Sequence, residues 1–154
     1  MSREHLYKAK RVNWRELPKE EWWVEGSLII SDEDYYIVPD FGVSCVEKLN
    51  NYVCDKLITL HAFEVDKETV CQYTGLTDKN GMKIFEGDIV KAIYNPKDKD
   101  LAIDDFIIKW DKYYCKFVGY YVGKENVYNP LLFGSQTSFE VIGNSFDNPD
   151  LLKE

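Results

Sequence analysis

The chain has 154 residues, 45% of them hydrophobic and 30% charged, with a net charge of −8 and 23 aromatic residues (4 Trp, 11 Tyr, 8 Phe). One domain spanning residues 1–154, with a sizeable core, is the expectation from that length. The acidic balance argues against tight, sequence-independent nucleic-acid binding, which needs Lys and Arg against phosphate. No apolar run reaches membrane-span length and no signal-peptide core opens the chain, so a cytoplasmic protein with reduced cysteines and no membrane partner is expected.

Residues 1–21 form a basic N-terminal segment: residues 1–19 hold six basic residues against two acids. Lys8, Lys10, Arg11 and Arg15 are the candidate nucleic-acid contacts, and the same charges are equally suited to pairing with the acidic remainder of the chain. Residues 22–65 read as a hairpin plus a short helix. Residues 22–30 are rich in strand formers, Ser31-Asp32-Glu33-Asp34 is a polar turn, and Tyr35-Tyr36-Ile37-Val38 is a second strand stopped by Pro39. Ser44-Cys45-Val46-Glu47 fits a capping box, and Val46, Leu49, Val53, Cys54 and Leu57 follow at helical spacing. From Leu57 to Val65 the period is two, which predicts a strand.

Residues 69–146 read as the β core. Residues 69–74 alternate, and Asn80-Gly81 predicts a type I′ hairpin turn. Residues 82–85 and 88–94 are strands broken at Glu86-Gly87, where Asp88 is placed to hydrogen-bond a nearby backbone N–H and fix the turn. Residues 95–105 read as a charged, mobile loop. Phe106, Ile108 and Trp110 share one strand face. Residues 113–122 read as one long aromatic strand with a bulge or a close backbone contact at Gly119, residues 139–142 as the last strand, and residues 148–152 as a tail with a final helical turn. Short strands between tight turns predict a mostly β fold, a small barrel- or sandwich-like domain with one short helix.

The chemistry-bearing residues favour no reaction. Glu86 and Asp88 read as turn residues rather than an acid–base pair, because such pairs need two different environments. Cys45, Cys54, Cys71 and Cys115 show no C-x-x-C spacing and read as four small buried thiols. His61 and Cys71 carry no sign of a nucleophile–base pair. Residues 78–81 lack the acidic spacing of a calcium loop, and no phosphate-binding glycine motif occurs. No catalytic residue, cofactor or metal is expected. The adjacent aromatic pairs Trp22-Trp23, Tyr113-Tyr114 and Tyr120-Tyr121 are a better lead: neighbours in a strand face opposite ways, so one ring of each pair can lie outward. Trp22, Trp23, Tyr113 and Tyr120 are the candidate interface, suited to a protein partner or a second copy of the chain.

The segment Gln72-Tyr73-Thr74-Gly75-Leu76-Thr77-Asp78-Lys79-Asn80-Gly81 through Ile84, Glu86, Gly87, Asp88, Ile89 and Val90 resembles the signature of the YopX-like proteins of phages and prophages. Its motif residues are Gln72, Tyr73, Gly75, Asp78, Asn80, Gly81, Glu86, Gly87 and Asp88. Residues 8–11 with 22–26, Trp110 in its strand, and residues 139–152 are similar to other parts of that family. The resemblance implies a β-rich fold, a phage or prophage origin and a tendency to form homo-oligomers; with the aromatic surfaces, the expectation is a self-associating module in the host cytoplasm that binds an unknown phage or host protein. The resemblance implies no activity and no catalytic residues. Residues 86–90 are also similar to the G-D-x-V start of a strand in small SH3-like barrels, some of which bind nucleic acid.

Overall fold

The computed structural model describes residues 5–39, 62–94, 101–124, 127–129 and 137–153. The predicted helix over residues 44–57, with Cys45 and Cys54, lies outside them, as do His61 and residues 95–100. The described residues are mostly β, in antiparallel sheets, and they group into two compact units, 1–72 and 73–154. The sequence reading had a single domain over the whole chain.

In the first unit, β1 (Tyr7–Lys10), β2 (Trp23–Ser31), β3 (Asp34–Val38) and β4 (Phe63–Val65) run in the order β4-β3-β2-β1, and the start of β5 (Cys71–Thr77) pairs with the outer side of β1. The β2–β3 hairpin forms as predicted, with Ser31 opposite Asp34 and Asp32 in the left-handed region (φ 55°). β1 is a strand that the charge of the N-terminal segment concealed. Its residue Ala9 is fully buried with Val24, Ile37 and Val65, and Tyr7, Leu28, Tyr35, Phe63 and Val70 pack around them. A side chain at Gly26 would overlap the carbonyl of Val38, so only glycine lets β2 and β3 meet there. Of the strand predicted over residues 57–65, only Phe63–Val65 is described as one. A single bridge, Arg11 with Val65, links the end of β1 to β4.

β5 carries the chain into the second unit. There β6 (Lys83–Phe85) pairs with β5, and β7 (Asp88–Tyr94), β8 (Leu101–Asp111), β9 (Lys116–Tyr121), β10 (Tyr128–Asn129) and β11 (Thr137–Asn144) form a sheet in the order β10-β9-β8-β7-β11. Its core is Ile84, Val90, Ala92, Phe106, Ile108, Phe117 and Phe139, with Tyr121 and Val141 against it. Phe106 and Ile108 share the buried face as the alternation predicts. Trp110 continues that row outward and is 41% exposed. Among the described residues neither sheet closes into a barrel.

Several local expectations are corrected. β8 already begins at Leu101, so residues 101–105 are strand rather than loop. The β8–β9 register runs unbroken through Gly119, opposite Ile108, so no bulge forms there. Residues 112–115 are a turn, not strand, and Cys115 is exposed with φ 50°, unlike the buried Cys71. At Asn80-Gly81 only Gly81 has positive φ (82°), so the turn is not type I′, which needs two such residues. The tail ends in a 3-10 turn, Pro149–Leu152.

Candidate functional site

The motif residues of 72–88 build turns. Gln72 pairs with Tyr7 at the end of the first unit. Buried Tyr73 lies opposite Phe85, with ring centroids 5.5 Å apart. Gly75 (φ 87°) sits where the β5–β6 register shifts. Asp78 is only 6% exposed and uses both carboxylate oxygens. Oδ1 accepts the N–H groups of Asn80 (2.8 Å) and Met82 (2.9 Å); Oδ2 accepts that of Val141 (3.1 Å) in β11. Lys79 continues the attachment, donating its N–H to the Phe139 carbonyl at 2.8 Å and its ammonium to Glu140 at 2.7 Å. Burial pushes the Asp78 carboxyl up, but the N–H groups of Val141, Met82 and Asn80 and the Lys79 charge outweigh it and hold it below the usual range. A strand-edge N–H and C=O of β11 are thereby satisfied by the neighbouring turn, which blunts that edge.

Gly87 (φ 83°) makes the break before β7, donating its N–H to the Ile108 carbonyl at 2.8 Å. Asp88, 2% exposed, accepts the Phe85 N–H at 2.8 Å, the turn-fixing role read from the sequence. Glu86 is half-buried. A buried carboxylate bonded to its own turn is ill placed for proton transfer to a substrate. The Cys71 thiol is buried and donates to the Thr69 carbonyl. Among the described residues, no three His, Cys, Asp or Glu gather as metal ligands would.

The basic residues of the first unit lie on aromatic rings. Lys10 is 3% exposed, and its ammonium sits 4.0, 4.6 and 5.4 Å from the rings of Trp14, Trp22 and Trp23. Trp14 and Trp22 meet edge to face at 4.8 Å, and the Trp22 indole N–H donates to the Leu17 carbonyl at 3.0 Å. This cage is a dense use of cation–π attraction. It places Lys10 out of reach of a phosphate and leaves Trp22 and Trp23 half-buried around it. Lys8 lies over Trp23 at 5.2 Å and Arg15 over Trp14 at 4.4 Å. Arg11 lies over Phe63 at 4.1 Å and 3.7 Å from Glu21.

The aromatic residues of the second unit are arranged differently. The β8–β9 hairpin ends in the turn 112–115, where Tyr113 is 87% exposed and Tyr114 is 43% exposed. Asp111 organises this tip. Its Oδ1 accepts the N–H groups of Tyr113 (2.8 Å) and Tyr114 (3.1 Å), and its Oδ2 accepts the Tyr120 hydroxyl (3.1 Å). Those donors and Lys116 hold the Asp111 carboxyl below its usual range, the Tyr114 N–H foremost, against a smaller opposing push from burial. Burial first, then the bond and charge of Asp111, raise the Tyr120 hydroxyl above its usual range. Tyr113 and Tyr114 meet edge to face at 5.0 Å, and Trp110 meets the buried Phe117 likewise at 5.1 Å. The backbone of the turn is thus fixed by Asp111, while the Tyr113 ring stands in solvent.

Of the four aromatic residues read as an interface, Tyr113 and Tyr120 fall on this hairpin, Tyr113 fully outward and Tyr120 half-buried as its support. Trp110, Tyr114 and the organising Asp111 complete the tip. Asp111 was the one available signal, since aspartate at the start of a turn binds the N–H groups two and three residues on.

A family model described as YopX protein matches residues 32–153. No curated protein matches the chain. Among solved structures, the chain is similar to protein EF1440 from Enterococcus faecalis at 22% identity and a TM-score of 0.49, covering 98% of this chain and 99% of that one.

Proposed function

The chain belongs to the YopX protein family, and from that premise we propose that it is a phage- or prophage-type binding and assembly module of the host cytoplasm, non-catalytic, which associates with itself through the β8–β9 hairpin tip. The observation that carries this reading is the ordered exposure of Trp110, Tyr113 and Tyr114 on a hairpin whose turn is fixed by Asp111. Aromatic side chains carry large apolar area on few rotatable bonds, and a turn whose backbone is already fixed has less to lose on docking, which is why such residues make effective anchors.

The size of the effect supports a reversible contact. The three rings leave roughly 350 Å² in water at about 200 Å² per aromatic side chain, and burying it at about 25 cal/mol per Å² gains roughly 9 kcal/mol before the cost of association. That cost is about 4–15 kcal/mol, so the tip by itself supports weak association and needs help from its partner surface. The enclosure of Lys10 and the stacking of Arg11 and Arg15 on rings set the N-terminal basic residues apart from this role.

Sedimentation velocity across the micromolar range tests the proposal. The weight-average coefficient is expected to rise with concentration in wild type and to stay flat in Tyr113→Ala. A strict monomer in wild type would overturn it.

A further inference from the structure

We infer that the hairpin tip of one copy docks into the groove beside β3 and β4 of a second copy. This rests on the self-association proposed above and names its receiving surface. The first unit holds an open groove of about 430 Å³ whose lining includes Glu33, Asp34, Tyr35, Glu64 and Asp66. Exposed Val12 supplies apolar surface to it, and Arg15 and Lys67 offset two of its four carboxylates. The negative field is felt nearby: the Tyr36 hydroxyl is raised above its usual range by burial first, then by Asp34, Glu64 and Asp32.

The tip is the complement in charge and in chemistry. Lys109, Lys112 and Lys116 are exposed around its rings. Its one acid, Asp111, turns both oxygens inward to Tyr113, Tyr114 and Tyr120. On a chain of net charge −8, this cationic aromatic tip complements a surface of carboxylates with the Tyr35 ring and Val12 among them. Tyr113 enters such a groove as a ring between Tyr35 and Val12, while Lys112 meets the carboxylate wall. Complementary charge of this kind fixes register and speeds encounter, and it makes the contact sensitive to salt.

Because tip and groove are different surfaces, each copy offers one of each. Tip-to-groove contacts can close as a reciprocal two-fold pair or pass on to a further copy, and either way each tip is seated in a neighbour's groove.

The experiment uses two full-length variants, each checked by circular dichroism for wild-type strand content: a tip variant (Lys112→Glu with Tyr113→Ala) and a groove variant (Glu33→Lys with Glu64→Lys). Each alone is expected to associate at least about tenfold more weakly than wild type. Mixed in equal amounts, they retain one intact tip and one intact groove, and are expected to form a 1:1 complex that grows no further. A groove variant that assembles like wild type, while the tip variant does not, means tips meet tips; it overturns this inference and leaves self-association standing. A tip variant that assembles like wild type overturns it too, and a wild-type monomer removes the reading beneath it as well.

Discussion

Replacing Asp78 by alanine removes the acceptor that joins the β5–β6 turn to β11. Three N–H groups lose their partner: Asn80 and Met82 at Oδ1, Val141 at Oδ2. Hydrogen bonds to a charged group contribute about 1.5–3 kcal/mol each, which sets an upper range of roughly 5–9 kcal/mol. The Asn80 and Met82 groups belong to residues exposed to solvent, so water replaces much of what they lose, and the expected cost is about 3 kcal/mol. Asp78→Asn sharpens the test. Its Oδ1 still serves the turn, while its amide nitrogen faces the Val141 N–H, donor against donor, so it should cost about 2 kcal/mol through β11 alone. Urea unfolding followed by circular dichroism measures both, and a thermal midpoint lower by roughly 6–12 °C is expected for the alanine variant. A loss below about 1 kcal/mol for Asp78→Ala, no larger than that for a surface substitution, would refute the view that this carboxylate fastens the turn to the strand.

Acid should loosen the same attachment. The Asp78 and Asp111 carboxyls both lie below their usual range in the fold. A depressed folded pKa contributes stability that is whole above the unfolded value, about 4, and is lost as pH falls through the folded value. Urea midpoints in wild type should therefore drop below about pH 4, and less steeply in Asp78→Ala. Lys10→Met keeps the length of the side chain but removes its charge from three indole faces; a loss of about 2 kcal/mol with altered tryptophan emission is expected, and unchanged stability would contradict the cage. Gly26→Ala forces a methyl group against the Val38 carbonyl, and should cost about 3 kcal/mol or prevent folding, read by thermal melting. A labelled DNA or RNA oligonucleotide is expected to keep its mobility at low salt. A shift that weakens steeply with salt and is lost in Arg11→Ala with Arg15→Ala would return the N-terminal residues to a phosphate-binding role.

The turns were the most legible part of the fold. Gly87 and Asp88 read as a break fixed by a carboxylate, and the Phe85 N–H is bonded in that way. The β2–β3 hairpin was equally plain, because Ile37 and Val38 follow a polar turn and end at a proline. β1 was hidden because the face opposite buried Ala9 carries Lys8 and Lys10, and the burial of Lys10 depends on three tryptophans that only the folded chain brings around it. Residues 113–115 were misread for a related reason. Tyr and Cys suit strands, and nothing in Tyr113-Tyr114-Cys115 marks a turn except the aspartate two residues before it. Of the aromatic pairs, Tyr113 stands outward at the hairpin tip, while Trp22 and Trp23 lie against a lysine of their own unit.

Cys115 offers the most direct probe of whether the tip is covered in the assembled state, since its thiol is exposed within the turn itself. The rate of its alkylation, read by peptide mass, should fall as protein concentration rises through the micromolar range, while the tip variant Lys112→Glu with Tyr113→Ala reacts at one rate throughout. An alkylation rate at Cys115 that ignores concentration, in samples that sedimentation shows to be associated, would contradict docking through this hairpin.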